Sequence, residues 1–443
     1  MMSDIISAVS TANGVGGVAV IRISGAGSLT LAKKMFRPLK KIENYEPNVM
    51  YVGEIDGGDF LDYGMMVVFY APKSFTGEET VEFHCHGGLA ITQGILNKTL
   101  SLGARMATNG EFTKRAYLNG KLSLSSCEGL IDMINSEYTA QVKAGYNLYR
   151  ERLFKKISAM QEELTDCLAE MGANIDYPEE GLEQFTTDKL KNTCQNLKIE
   201  LENLIDSFGS GRKIKNGVKV ALVGRPNTGK SSILNSLLNC DKAIVTSVAG
   251  TTRDIVEGEL DINGVKFVLY DTAGIRDSED EVEKIGIERS KKAIDDCDLA
   301  LFVMDGSQNL TREDKEILNA IKVPLIKVCN KSDKQIVLEK SDYDLTFCAL
   351  NGDNIELKNR MFSLGVGKTE DLSADLIIEQ RHYLALKRAL ESIKKVLNQI
   401  DSEPLELIEY DVRDAWSVLG EITGQTASES IIDEIFSKFC VGK

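Results

Sequence analysis

The residues with the clearest chemical potential form the stretch Gly224–Ser231, which fits the phosphate-loop pattern G-x-x-x-x-G-K-[ST]. An apolar, β-branched run at 218–223 precedes it, and a helical pattern at 232–238 follows it. In such a turn, successive main-chain N–H groups point at phosphate oxygens and the helix N-terminus adds positive potential. Lys230 would neutralise the β- and γ-phosphates, and the Ser231 hydroxyl would ligate Mg²⁺. The stretch therefore predicts a nucleoside-triphosphate site.

A second stretch selects the base. The strand pattern at 325–329 ends in Asn330–Asp333. The Asp333 carboxylate can accept both N1–H and the exocyclic amine of guanine, and adenine offers no such pair of donors. We therefore expect the nucleotide to be GTP.

Two stretches between these motifs have the positions of nucleotide-sensing switches. A predicted strand ends in Asp271–Gly274, where Asp271 can hold Mg²⁺ through water and the Gly274 N–H can sense the γ-phosphate. Earlier in the chain, Ala249–Asp254 carries Thr252 where it can reach Mg²⁺ when the γ-phosphate is present. The order of the four motifs is that of a GTPase.

Composition indicates a soluble protein of about three domains, since the chain has 443 residues and 43% of them are hydrophobic. The formal net charge of −15 disfavours indiscriminate binding to nucleic acid or anionic membrane, although it leaves room for a local basic patch. Nine cysteines without a C-x-x-C pair indicate reduced thiols. No apolar run approaches the roughly 20 residues of a membrane helix, and the start lacks the profile of a signal peptide. We expect a cytoplasmic protein that does not span a membrane.

The elements that must position these residues change character along the chain. Residues 1–118 read as an α+β domain, 119–212 as amphipathic helices, 213–371 as alternating strands and helices, and 372–443 as helices again. The two helical parts need partners for their apolar stripes. The economical arrangement is a helical domain split in sequence, with the GTPase domain inserted into it. Gly209–Gly211 looks like a hinge into the GTPase region.

Three groups outside the GTPase motifs have two interpretations each. His84, His86 and Glu82 face one side of a predicted strand and could hold a metal, but polar residues of a sheet face are the simpler reading. Arg22 and Glu82 could form an ion pair or line a ligand pocket. Cys440, three residues before Lys443, lies either in a frayed tail or where a reactive thiol would reach a pocket.

Taken together, motifs spread over the whole chain resemble the MnmE (TrmE) family of bacterial tRNA-modifying GTPases, within the TrmE-Era-EngA-YihA-Septin-like superfamily. Besides the GTPase motifs, the matching stretches are Gly16–Gly25, Phe75–Glu79, His86–Gly88, Gly110–Ala116, Asp280–Arg289 and the terminal Cys440–Lys443. Two positions depart from the family pattern. Cys348 stands where the last guanine-binding element usually has Ser, and Val441 stands where Ile is common.

The resemblance implies a multidomain α/β fold. It comprises an α+β folate-binding N-terminal domain, a discontinuous α-helical domain and an inserted Ras-like P-loop G domain. It also implies a homodimer formed through the N-terminal domains and a heterotetramer with the flavoprotein MnmG. Together these would form the 5-carboxymethylaminomethyl or aminomethyl group on wobble uridine 34 of certain tRNAs. The one-carbon unit would come from 5,10-methylenetetrahydrofolate, of which 5-formyltetrahydrofolate is an analogue.

The resemblance further implies which residues form each site. The expected GTP contacts are Asn227, Thr228, Gly229, Lys230, Ser231, Ser232, Thr246, Ser247, Val248, Ala249, Gly250, Thr251, Thr252, Asp271, Thr272, Ala273, Gly274, Asn330, Lys331 and Asp333. The expected Mg²⁺ ligands are Ser231 and Thr252, and the expected K⁺ ligands are Asn227, Thr246, Val248 and Thr251. The expected folate contacts are Arg22, Glu82, Lys121 and Lys443. The expected catalytic residues are Glu283 and Cys440.

Hydrolysis needs an unusual arrangement, because many GTPases orient the attacking water with a Gln where this chain has Ile275. An apolar side chain cannot do this. The Asn227 amide oxygen can ligate a cation, and the family places K⁺ there, where an arginine finger would put its charge. Glu283 matches the family's water-orienting glutamate, acting through a second water. Its simpler interpretation is a solvated charge in an acidic run.

Two rival functions fit part of the pattern. A ribosome-assembly GTPase switch without substrate chemistry shares the GTPase motifs, but it would need neither residues 1–118 nor Cys440. A one-carbon enzyme with a regulatory G domain would act on a substrate other than RNA.

Overall fold

The computed structural model describes residues 4–12, 14–176, 183–239, 258–271, 297–349, 354–367 and 376–443, without the side chains of 183–186, 239 and 271. The chain divides into two compact units. The first comprises Met1–Ile131, Leu148–Asp166 and Trp416–Lys443, and the second comprises Asp132–Asn147 and Cys167–Ala415.

The first unit contains a seven-stranded sheet of order β3-β4-β5-β6-β2-β1-β7. Its strands are β1 (Ile6–Val9), β2 (Gly16–Ser24), β3 (Phe36–Pro38), β4 (Met50–Asp56), β5 (Leu61–Phe69), β6 (Thr80–Gly87) and β7 (Arg105–Met106). The helices α1 (Ser28–Ala32), α2 (Leu89–Ser101) and α3 (Glu111–Leu118) lie between or after these strands. The sheet is antiparallel except for the pairing of β1 with β7. The predicted α+β character of this region is confirmed.

Alternation along β6 separates the two faces of this sheet. Val81, Phe83 and Cys85 are buried in the hydrophobic core, whereas Glu82 and His84 face the other side. A strand with a side-chain period of two produces this separation when only one face is covered by apolar side chains. The face opposite the core therefore carries the polar residues that the sequence singled out.

Long helices follow the sheet. They are α4 (Leu124–Asn135), α5 (Thr139–Tyr149), α6 (Arg152–Asp176) and α7 (Glu183–Asn216). After the second sheet come α11 (Gln380–Gln399), α12 (Leu405–Thr423) and α13 (Glu429–Ser437). Apolar residues that recur every three or four positions in α6 and α7, such as Leu164 and Leu201, are fully buried, as this helical spacing predicts.

The second unit contains a six-stranded sheet of order β13-β12-β11-β8-β10-β9. Its strands are β8 (Val218–Val223), β9 (Gly258–Ile262), β10 (Val265–Asp271), β11 (Leu299–Asp305), β12 (Leu325–Asn330) and β13 (Leu345–Thr346). The helices beside it are α8 (Lys230–Asn239), α9 (Arg312–Ala320) and α10 (Ile355–Gly365). Among the strands that the structure describes here, only β9 pairs antiparallel, at one edge. All seven residues of β11 are buried, which is typical of a parallel strand covered on both faces.

The predicted hinge at Gly209–Gly211 is wrong, because α7 continues through these glycines to Asn216. Gly211 is instead required because the main chain of another segment approaches it closely. A Cβ on Gly211 would lie 2.1 Å from the main-chain oxygen of Ile377, in the segment that returns to the helices. Asp188 precedes the apolar run of this helix in the sequence, as an N-cap residue would, but it lies inside α7, which begins at Glu183.

Within the described residues, no helix is both long and apolar enough to cross a membrane.

Candidate functional site

The phosphate loop joins β8 to α8, as its sequence context predicts. Lys230 is the first residue of α8, and its Nζ donates to the main-chain oxygens of Gly224 and Arg225, both at 2.8 Å. Gly224 and Gly229 have φ of 145° and 97°, in the region that favours glycine. The loop is thus curled around its own lysine, which is the arrangement expected of a phosphate cradle.

Two residues of the base-recognition motif, Asn330–Asp333, donate hydrogen bonds to the phosphate loop. Asn330 Nδ2 donates to Thr228 O at 2.9 Å, and Lys331 Nζ donates to Asn227 O at 2.8 Å. Lys331 Nζ also lies 2.6 Å from a carboxylate oxygen of Asp305, at the end of β11. The tertiary fold therefore brings together two motifs that lie about a hundred residues apart in the sequence.

Asn227 has an unusual backbone, with φ of 63°. Asparagine tolerates this left-handed conformation better than most residues. Its main-chain oxygen is bound by Lys331, while its exposed side chain has no hydrogen bond within the described part of the chain. The amide oxygen is accordingly free to ligate a cation.

The chain's departure from the family pattern, Cys348, contacts the base-recognition carboxylate. Its Sγ lies 3.6 Å from Asp333 Oδ1, a distance suited to a weak S–H···O hydrogen bond. Cys348 is buried while Asp333 is exposed. The thiol therefore restrains the carboxylate that would read guanine.

A buried ion pair fixes the other end of the phosphate loop, and no pattern in the sequence pairs its two residues. Arg225 Nε lies 2.8 and 2.9 Å from the two carboxylate oxygens of Asp314, which is almost fully buried. Asp314 also forms a capping box with Thr311 at the start of α9. Arg225 thus ties the loop to a neighbouring helix.

The described residues fit a guanine nucleotide. A Cβ on Gly229 would lie 2.1 Å from Asn330 Nδ2, so the loop approaches the base motif closely. Asn330 is 2% exposed, and its Oδ1 has no hydrogen-bond partner in the described residues. A buried acceptor is costly when unsatisfied, and a ligand donor would remove that cost.

Many predicted GTP and metal contacts lie outside the described residues. These are Thr246, Ser247, Val248, Ala249, Gly250, Thr251, Thr252, Thr272, Ala273, Gly274 and the expected catalytic residue Glu283. For Asp271 only the main chain is described, at the end of β10. Ser231 and Ser232 lie in the first turn of α8, with both residues exposed.

A second candidate site lies in the first unit, on the polar face of the sheet. Arg22 and Glu82 form an ion pair of 2.7 Å across β2 and β6. The Arg22 guanidinium carbon lies 5.4 Å from the ring centre of Phe75 and 5.5 Å from that of Phe112. Burial alone would raise the pKa of Glu82, but the neighbouring His84 imidazole and the charge and hydrogen bond of Arg22 hold it below its usual value. The carboxylate is therefore charged at neutral pH.

The last residues of the chain pack on the start of α3, beside this pair. Phe112 N donates to Lys443 O at 3.2 Å, and Gly110 N donates to Cys440 O at 3.4 Å. Gly442 has φ of 99°, and a Cβ there would lie 2.1 Å from Val9 O. The alternative of a frayed tail is thus wrong, since these residues are held by main-chain contacts that admit only glycine at 442.

A buried charge network supports the same region. Arg115 is 2% exposed and contacts carboxylate oxygens of Asp4, Glu78 and Glu111. Burial would raise the pKa of Glu111, but hydrogen bonds from Arg105, Thr108 and Arg115 lower it to about 2. Glu111 therefore stays ionised near neutral pH, and the network fixes α3 against Asp4, which lies just before the first strand of the chain.

The remaining predicted folate contact, Lys121, bonds through Nζ to Pro72 O at 3.0 Å, at the base of the loop that carries Phe75. His84 lies 3.6 Å from Glu82, while His86 Nδ1 lies 2.6 Å from Asp62. The two histidines therefore have separate partners. No group of three or more metal-binding side chains occurs among the residues described.

Comparison with known proteins decides the family. A model described as "MnmE helical domain" matches residues 124–440, and one described as "GTP-binding protein TrmE N-terminus" matches residues 5–121. The protein named tRNA modification GTPase MnmE from Lactobacillus gasseri is 39% identical over 456 residues, covering 99% of this chain and 98% of the relative. The chain belongs to the MnmE family of tRNA modification GTPases.

The similarity to MnmE holds over the full chain. The MnmE of Natranaerobius thermophilus is 38% identical over 462 residues, covering 100% of both chains. Among solved structures, Aquifex aeolicus Era bound to GDP.AlF4- is 27% identical over 39% of this chain and 66% of that chain, with a TM-score of 0.27. The predicted family and the multidomain α/β fold class are confirmed. The domain boundaries and the individual site residues stay predictions.

Analysis of the sequence alone missed the residues that contact and position other residues of the two candidate sites. Phe75 and Phe112 lie within the quoted motifs, but nothing in their spacing shows that both rings approach Arg22. Asp314 lies 89 residues from Arg225 and carries only the signal of a capping box, because Thr311 precedes it by three positions.

Proposed function

We propose that this chain is a K⁺-activated GTPase which acts with the flavoprotein MnmG on wobble uridine 34 of certain tRNAs. The product would be the 5-carboxymethylaminomethyl or aminomethyl group, built with a one-carbon unit from 5,10-methylenetetrahydrofolate. One observation carries this proposal beyond GTP hydrolysis. The Arg22–Glu82 pair lies against Phe75 and Phe112, and the chain's last residues bind the Phe112 amide.

The chemistry of that site suits a folate. A pterin is a flat heterocycle with hydrogen-bond donors, so a charged carboxylate and aromatic side chains are appropriate partners. Glu82 supplies the carboxylate and Arg22 its counter-charge, while Lys121 and Lys443 would meet the glutamate tail. The exposed Cys440 thiol in the adjoining tail is the proposed participant in the modification chemistry.

The hydrolysis site rests on the phosphate loop. Lys230 and the main-chain N–H groups would bind the phosphates, and Asn227 would hold K⁺ with Thr246, Val248 and Thr251. Bound K⁺ supplies positive charge where charge develops in the transition state. Ser231 and Thr252 would hold Mg²⁺. Glu283 would orient the attacking water, because Ile275 has no polar atom to do so.

We propose that the homodimer forms through the face of the first sheet that lies opposite its hydrophobic core. Met50, Val52, Leu61 and Tyr63 are between 41% and 56% exposed there. Register pairs Glu54 with Tyr63 and Val52 with Met65, which places these side chains on neighbouring strands. An apolar face of this kind supports burial against a second copy.

Nucleoside mass spectrometry of tRNA tests the proposal. Cells without the protein should lack the wobble modification, and purified protein with MnmG, GTP and methylenetetrahydrofolate should restore it. Cys440→Ser should abolish restoration while leaving GTP hydrolysis intact. Unchanged tRNA in the deletion would contradict the proposal and favour a ribosome-assembly switch. Folate binding without any tRNA change would favour a one-carbon enzyme with another substrate.

A further inference from the structure

A short basic segment interrupts the acidic surface of the chain. Residues 33–41 contain five basic side chains and no acidic one, although the whole chain has 67 acidic and 52 basic residues. We call the five the basic segment; they are Lys33, Lys34, Arg37, Lys40 and Lys41. All five are exposed.

The fold displays these side chains from a fixed backbone. Met35 and Phe36, in the middle of the segment, are 1% and 4% exposed and anchor it to the core of the first sheet. The edge strand β3 pairs with β4, and two main-chain bonds extend this pairing. Met35 O accepts from Asp56 N at 2.8 Å, and Leu39 N donates to Val52 O at 3.1 Å. The backbone positions that carry the charged side chains are therefore fixed.

Neighbouring acidic groups leave the segment largely uncompensated. Asp56 is within 3.1 Å of Lys98 and accepts from the Gly58 amide, and the charge of Arg37 also helps to lower its pKa. Glu54 is the register partner of Arg37, and Glu43 and Glu46 follow the segment. Yet none of the five basic side chains makes an ion pair within the described ranges. Lys33 instead lies 5.3 Å from the ring centre of Tyr45.

Protection of a sheet edge explains only part of this pattern. Charged residues on an edge strand prevent unwanted pairing with other chains. Of the five, however, only Arg37 lies on β3, whereas the four lysines lie in the turns on either side. The 61% exposed Leu39 between them would weaken such protection. Binding of an anionic partner would explain the clustered lysines that edge protection does not.

We propose that the basic segment binds the phosphate backbone of tRNA, an inference that rests on the proposed action on tRNA. A net charge of −15 opposes approach of RNA at long range. At physiological ionic strength, however, charges more than about 8 Å away are largely screened, so a close phosphate meets the local basic surface. Nine residues span at most about 30 Å, which is enough for several successive phosphates.

Salt-dependent tRNA binding tests this surface. The full-length variant Lys34→Gln, Lys40→Gln, Lys41→Gln should bind tRNA at least ~10-fold more weakly in 0.1 M KCl than the unmutated protein. The slope of log K against log[salt] should become shallower by about 2 to 3, since each lost phosphate contact removes about 0.7 to 0.9. The matched control Lys315→Gln, Lys322→Gln, Lys340→Gln removes the same charge from exposed positions elsewhere and should leave the slope unchanged.

The outcomes separate this surface from other roles. Equal losses in the two triple variants would overturn the proposal, because net charge alone would then explain them. Unchanged tRNA binding with weakened binding to MnmG would also overturn it and identify a protein-docking surface. GTP hydrolysis should be the same in both variants, which shows that they fold. If tRNA from the deletion strain keeps its wobble modification and yet the two salt slopes differ, the segment binds RNA and the proposed modification is wrong.

Discussion

At the scale of single residues, contacts rather than residue types decide what a side chain can do. Cys348 would be an ordinary buried cysteine without its contact to Asp333, and Gly442 would be an ordinary tail glycine without Val9. In both cases the partner lies in a different stretch of the chain. Each contact therefore leads to a substitution whose effect can be measured.

The thiol of Cys348 should contribute to GTP affinity. Cys348→Ala removes the S–H donor to Asp333 and should weaken GTP binding about 2- to 10-fold, as expected for the loss of one weak hydrogen bond. Cys348→Ser keeps a donor and should bind at least as well as the unmutated protein. Titration with a fluorescent GTP analogue measures both, with Cys297→Ala as a buried-cysteine control. Equal affinities for all four proteins would show that the contact does not matter.

Gly442 should be essential for docking of the tail. Gly442→Ala places a methyl group against Val9 O in a strained backbone conformation, so the tail must move. Hydrogen exchange at the Gly110 and Phe112 amides should then accelerate, and folate affinity should fall at least ~10-fold while GTP hydrolysis is retained. Gly172→Ala has open space around it and is the control. Unaltered exchange at both amides would refute the docking.

At the scale of elements, three helix ends meet in a half-buried charge cluster within the second unit. Lys215 near the end of α7 contacts Asp132 of α4 and Glu379, which precedes α11. Lys215 thus forms ion pairs with two carboxylates. Burial raises the pKa of Asp132 to about 7, and the charge of Glu379 adds to this effect while Lys215 opposes it. The segments entering and leaving the GTPase region are joined through this cluster.

This cluster should make stability depend on pH. Because the folded-state pKa of Asp132 is raised from 3.8 to about 7, its contribution is present below about pH 4 and is lost as the pH rises towards 7 and above. Asp132→Asn leaves Lys215 paired with Glu379 alone. Its urea midpoint should exceed that of the unmutated protein at pH 8, and the difference should shrink at pH 5. A variant less stable at pH 8 would mean that the Asp132–Lys215 attraction outweighs the burial cost.

At the scale of the whole molecule, the proposed hydrolysis mechanism couples chemistry to association. The predicted K⁺ ligands lie in two separate stretches, the phosphate loop and residues 246–251. Closure of the second stretch over the first, driven by contact between two GTPase domains, would complete the cation site. Exposure of Asn227 is consistent with a ligand set that needs such closure.

Potassium should therefore stimulate hydrolysis in single-turnover measurements at matched ionic strength. K⁺, Rb⁺ and NH₄⁺ should accelerate the reaction and Na⁺ should not, because the site must fit an ion of that size. Asn227→Ala should lose the acceleration but keep nucleotide binding, since Lys230 and the loop amides remain. Glu283→Ala should slow hydrolysis and still allow K⁺-dependent association of the GTPase domains. Equal rates in K⁺ and Na⁺ for the unmutated protein would exclude the cation mechanism.

The sequence by itself determined the motif chemistry and the element types. The phosphate loop, the guanine motif and the buried parallel strands follow from local patterns, because turn geometry and hydrophobic periodicity are properties of neighbouring residues. The family also followed from the motifs. Local reasoning misread Gly209–Gly211 as a hinge, since a glycine that permits a close approach and one that permits a bend look alike in sequence.

Only the tertiary structure decided which distant residues act together. Arg225 meets Asp314, Cys348 meets Asp333, and Phe112 meets both Arg22 and Lys443. Such pairs depend on how strands are ordered in a sheet and on how the chain's ends return to it, and no local pattern encodes that order. The same reason explains the basic segment. Its charges were visible in the sequence, but their exposure on an anchored sheet edge depended on the burial of Met35 and Phe36.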